Sequence, residues 1–168
     1  MARGYGRNRT SGVEKGNRPG YAGNVSQLVG LKAAIVDNTA TSIIRVTVPN
    51  GMLNAGIKID LVAWLGAGTD ASESTRVATG FIALARQTGA TVVGVAATLA
   101  LAQIATAASG GTLTLAYSVS AATGAVGVTQ TIDIQVTLVK TGTITDLSCM
   151  FNATLMNGQD VGMTMVAV

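Results

Sequence analysis

The side chains able to do chemistry in this 168-residue chain are few and scattered. There is no histidine and one cysteine, Cys149. A Ser-His-Asp or Cys-His nucleophile therefore cannot be assembled, and no imidazole base is present. Zinc sites built on histidine or several cysteines fail on the same count. Cys149 lies in the apolar run Leu147-Ser148-Cys149-Met150-Phe151 and is expected to be a buried small hydrophobe. One cysteine makes no internal disulfide, so packing or assembly must stabilise the fold. Among the carboxylates of the body, Asp70 and Glu73 are neighbours in the loop GAGTDASES (66–74). That loop lacks the alternating acids and mid-loop glycine of an EF-hand and is expected to be solvated. Nothing points to a glycosidase-like pair of distant acids such as Asp60 and Asp133. Gly66-Ala67-Gly68 begins like a dinucleotide fingerprint, but the third glycine and a following helix are missing, so it reads as a turn. No catalytic residue, metal site or cofactor is expected.

Binding chemistry is concentrated at the N-terminus. Residues 1–24 hold Arg3, Arg7, Arg9, Lys15 and Arg18 against one acid, Glu14, with six glycines and Pro19. Five bases less one acid give this segment +4. The six bases and seven acids of residues 25–168 give −1, which accounts for the net +3. So basic and glycine-rich a segment cannot offset its own ordering entropy by burial. It is expected to be an extended arm that a partner orders. Its bases could neutralise phosphates, or lie across an acidic protein surface with Tyr5 and Tyr21 as anchors. Glycine and asparagine separate the arginines, which favours a protein partner over nucleic acid. The near-neutral body has no basic stripe of its own. In the body, Trp64 stands out as the one tryptophan. It could stack a sugar, but without aromatic partners it is expected to pack against the second sheet, the arm or a neighbouring subunit.

The elements that position these residues read as strands. The chain is 48% hydrophobic but only 4% aromatic and 11% charged, well under the usual quarter of charged residues. Such a surface suits coverage by other subunits. Alternation of period two runs through 42–48, with Ile44, Val46 and Val48 on one face and Ile43, Arg45 and Thr47 on the other. It continues through 56–65, 76–86 (with a possible bulge at Gly80), 112–120 and 131–139. Trp64 falls on the face opposite Ile57 and Ile59. The stretch 92–107 suits a helix by its alanine content, or two short strands by its alternation; strands are preferred in this company. A membrane span at 92–108 is disfavoured by Gly94, Thr98, Gln103 and Thr106 and by missing flanking belts, and no apolar core of a secretory signal follows the N-terminal bases. Residues 147–156 and 161–168 read as a final hairpin across Asn157-Gly158. About eight strands at this spacing predict an all-β sandwich, with a jelly-roll as the favoured topology, over residues 25–168.

Several phrases have a family texture: Asp37-Asn38-Thr39-Ala40, Val48-Pro49-Asn50, IKIDLVAWLGAG (57–68), Glu73 with SxRVATG (74–80), Ala85-Arg86 followed by TGA, VSAATGAVGVTQTIDIQVTLV (119–139) and LMNGQDVGMTM (155–165). Over roughly residues 30–165 the chain resembles small structural proteins of tailed bacteriophages. The resemblance implies a virion component, often a β-sandwich that decorates the head or forms fibre and neck parts. A capsid cement (decoration) protein is the leading expectation, located on the capsid surface and in the host cytoplasm during assembly. Its implied partners are the major capsid protein and copies of itself, with a trimer as first guess. Alternatives are a tail fibre or neck subunit, a carbohydrate-binding module using Trp64, and a small capsid protein whose arm contacts packaged nucleic acid.

Overall fold

Ten antiparallel strands form two facing sheets in the computed structural model, which describes residues 13–18, 21–66, 74–106, 112–142, 146–157 and 162–168. In chain order they are β1 (Val13–Arg18), β2 (Tyr21–Lys32), β3 (Thr41–Val48), β4 (Leu53–Leu65), β5 (Ser74–Arg86), β6 (Val93–Thr106), β7 (Leu113–Val119), β8 (Gln130–Lys140), β9 (Leu147–Asn157) and β10 (Thr164–Ala167). One sheet runs β1-β2-β9-β4-β5-β6 and the other β10-β3-β8-β7. The β-sandwich expected from the alternation is thus what forms. The division is six and four strands, not the two equal sheets of an eight-stranded jelly-roll. The pairs β2·β9, β3·β8 and β4·β5 nest inside one another along the chain.

The alternation explains the core. On β8, Gln130, Ile132, Ile134, Val136 and Leu138 are buried, while the residues between them are partly exposed. On β4, Leu53, Ile57, Ile59, Leu61, Ala63 and Leu65 point inward. Phe151 is the one fully buried aromatic among the described residues, and Gly30 opposite it leaves room for the ring, where any Cβ would collide. Most of the core is therefore Ile, Leu and Val, each contributing about 1.5–3 kcal/mol when fully buried. Cys149 is fully buried among them, as expected, and burial pushes its thiol up to about 12.

Four readings change. Ile43, placed by parity on the face opposite Ile44, is fully buried like it, because a register shift between Ser42 and Ile44 turns both isoleucines inward. The ambiguous 92–107 stretch is one strand. Its pairing with β5 skips Leu99 and Ile104, and each skip reverses the face parity, which made it look like two pieces. The first skip lies opposite Gly80, the position singled out as a bulge. The final hairpin does not form: β9 is already paired on both sides, by β2 and β4, so β10 crosses to the free edge of β3. Finally, residues 13–18 and 21–24, expected within the arm, lie in β1 and β2, and the boundary at residue 24 falls inside β2.

Candidate functional site

The sheets present unlike outer faces. On the four-stranded sheet, Arg45 grips Asp133 through two hydrogen bonds of 2.8 and 2.9 Å, beside Thr47, Thr131 and Gln135. The Arg45 hydrogen bonds hold the Asp133 carboxyl below its usual range; partial burial opposes them, and Ser42 and the Arg45 charge add to the lowering.

The six-stranded sheet carries two apolar bands on its outer face. Cross-strand register places Leu31 of β2, Met150 of β9, Val62 of β4 and Val77 of β5 in one row. Leu31 is 58% exposed and Met150 47%. Val29, 62% exposed, lies two residues from Leu31 on the same face. Trp64 lies two residues beyond Val62 on the same face and is half-buried, with Thr75 and Ser148 as its Cα partners. The sequence parity for Trp64 therefore holds, and packing against the second sheet is excluded. Below this row is a polar waist: Gln27 donates to Asn152, and Lys58 and Thr79 both donate to Asp60. Burial raises the Asp60 carboxyl, but the bonds from Lys58 and Thr79, with the Lys58 charge, outweigh it and hold Asp60 low. Beyond the waist a second apolar band holds Phe81, Ala83, Val95, Val93 and Met156. A shallow depression of about 430 Å³ lies in it, lined by Asn54, Gly56, Ala83, Ala85, Val93 and Val95. Asn54 supplies the one polar side chain among these six.

Such a surface suits a broad protein contact, because the described side chains of β4, β5 and β9 offer aliphatic area with a few satisfied polar groups. Asp60 and Asp133 lie on the outer faces of different sheets, each with its own basic partner, so they do not converge. Among the described residues no group of three His, Cys, Asp or Glu could hold a metal ion, and no helix is long and apolar enough to cross a membrane. The Asp70 and Glu73 loop lies outside the described residues.

The arm residues are only partly placed. Arg3, Tyr5, Arg7 and Arg9 lie outside the described residues. Lys15 and Arg18 are on β1 and Tyr21 on β2, with Arg18 and Tyr21 as Cα partners. The register puts Asn24 at the β4 end marked by Ala55, whereas Trp64 is at the other end, nine residues and about 30 Å away at strand spacing. The structure thus does not join Trp64 and the described arm residues into one site.

Sequence reasoning missed Arg86 altogether. It is 3% exposed, and its guanidinium donates to the carbonyls of Val48, Pro49, Ala90 and Val128. Gln130 works beside it, accepting from the Val92 amide and donating to the Gly124 carbonyl. Together they hold three connections at one end of the sandwich. An arginine closing a strand gives no sequence signal of such a role.

No family model matches the chain, and no curated protein matches it. Among solved structures, the chain is similar to the tailspike protein of Acinetobacter baumannii phage AM24, at 10% identity and a TM-score of 0.45. The match covers 84% of this chain and 28% of that one, so the chain spans less than a third of the tailspike's length.

Proposed function

We propose that this chain is a structural protein of a tailed-phage virion that acts by binding, without catalysis, as a capsid cement protein. The observation that carries the reading is the exposed apolar row Leu31, Met150 and Val62 with Trp64 beside it, on a sandwich whose opposite outer face is polar. A rigid sheet face of this kind fits a protein lattice better than a small ligand. The phage texture of 30–165 supplies the class of lattice, and the basic residues of 1–24 supply a second grip on major capsid subunits. A subunit that binds assembled shell and not free subunits stabilises the shell by mass action, and two linked grips add avidity.

The test is binding of the full chain to purified phage heads that lack it. Leu31→Glu/Met150→Glu should abolish saturable binding while leaving the fold intact, and deletion of residues 1–12 should weaken it. Full occupancy by the Glu variant would overturn the role of the sheet face. Binding to purified tails but not heads would replace the cement reading with the fibre or neck reading.

A further inference from the structure

The chain carries no charged residue and no proline between Arg86 and Asp133. That stretch supplies β6 and β7, which end the two sheets on the same side of the sandwich. They are sealed together there. Tyr117 of β7 donates to the Ala97 carbonyl of β6 at 2.5 Å. Gly80 and Gly94 have no Cβ to obstruct Tyr117 and Val119, respectively, which a side chain at either position would strike. The result is one flank formed by the edges of both sheets, whose two strands carry no charge; the charged group that reaches it among the described residues is Arg76 of β5, whose guanidinium donates to the Leu113 carbonyl at the start of β7.

Open strand edges invite pairing, and proteins normally guard them with charge, proline or shortness. The opposite flank is guarded: β1 carries Glu14, Lys15 and Arg18, and β10 has four residues. β6 has 14 residues, no charge, and no described strand on its outer side. Its two skips fall at Leu99 and Ile104, which leaves Val93 to Thr98 in regular register. Val93 and Val95 are 58% and 61% exposed, and they carry the second apolar band of the sheet out to this edge.

We propose that this flank is a two-fold interface with a second copy of this chain, in which the outer edges of two β6 strands pair antiparallel. A second copy fits because the regular segment Val93 to Thr98 is neutral and, by the β5–β6 register, lies away from Arg76, so pairing it with itself brings no like charges together, and an antiparallel pair of identical strands is two-fold by construction. The size also fits. Fourteen residues extend about 46 Å, and two sheets about 10 Å apart, with half a spacing added on each side, give a flank about 20 Å deep. β7 has seven residues, about 23 Å, so its half of the flank is half as long, and the sum of about 700 Å² per copy is close to the roughly 800 Å² per partner of a stable interface. The inference does not depend on the virion reading, and it replaces the first-guess trimer with a dimer.

Sedimentation equilibrium of the full chain tests it. The wild type should have twice the 16.8 kDa chain mass at micromolar concentration. Val95→Lys/Ala97→Lys places cations at exposed positions beside the edge and should give a folded monomer, with dimer affinity reduced at least 100-fold. Thr114→Lys/Ser118→Lys, at exposed positions on β7, should weaken the dimer independently. Amide exchange at the edge-facing amides within Val93 to Thr98 should slow as wild-type concentration rises. A wild-type monomer, a three-fold mass, or dimerisation by both Lys variants equal to wild type would overturn the interface.

Discussion

Replacing Arg86 by methionine keeps most of the side-chain volume and removes the guanidinium. Four hydrogen bonds are lost: 3.0 Å to Val48, 2.8 Å to Pro49, 2.9 Å to Ala90 and 2.6 Å to Val128. At about 1.5 kcal/mol for each bond from a charged donor, the gross loss is about 6 kcal/mol. Two effects reduce it. The bonds to Pro49, Ala90 and Val128 are only part-buried, so water can replace some of the lost donors. Methionine also escapes the desolvation of a buried cation. A net loss of about 3 kcal/mol is expected, or roughly 10 °C in Tm for a chain of this length. Arg86→Lys, which keeps the charge but cannot reach four carbonyls from a planar fork, should lose about half as much. Urea titration monitored by circular dichroism, with a calorimetric Tm, measures both. An Arg86→Met variant within about 0.5 kcal/mol of wild type would refute the view that this side chain holds the three connections together.

Other outcomes follow from the same geometry. Gly80→Ala should destabilise by about 2 kcal/mol, because its Cβ would fall on the Tyr117 hydroxyl; Tyr117→Ala in the same chain should recover part of the loss in chemical denaturation. The lowered Asp133 carboxyl stabilises the fold above the unfolded carboxylate pKa of about 3.9, and that contribution is lost as pH falls through the lower folded value. Carboxyl NMR should therefore find Asp133 titrating below about 3.9, and Arg45→Met should move it upward. Trp64→Ala should leave glycan-array binding at background, as in the wild type; a wild-type glycan signal lost in the variant would favour the carbohydrate-binding alternative.

The strands were legible where one face is buried and the period of two is unbroken. β4, β7 and β8 show this, and they set the face of Trp64 correctly. Legibility failed where a skipped residue reversed the parity, at Ile43 and along β6, because a bulge has no fixed residue signature when no glycine marks it. It failed again at Asn157-Gly158. That pair encodes a turn, but not which sheet the chain enters next; the vacancy beside β3 decides it. The apolar outer face was hidden for a related reason. Leu31, Met150 and Val62 belong to three strands far apart in sequence, and their alignment exists only in the cross-strand register.

The proposed role puts this sandwich on a phage head with its six-stranded face against the shell. Electron cryo-microscopy of particles that carry the protein tests it most directly. The account predicts sandwich density on the outer capsid surface, with Leu31, Met150 and Trp64 facing major capsid subunits. Density confined to the tail, or a capsid-bound sandwich whose six-stranded face points into solvent, would contradict it.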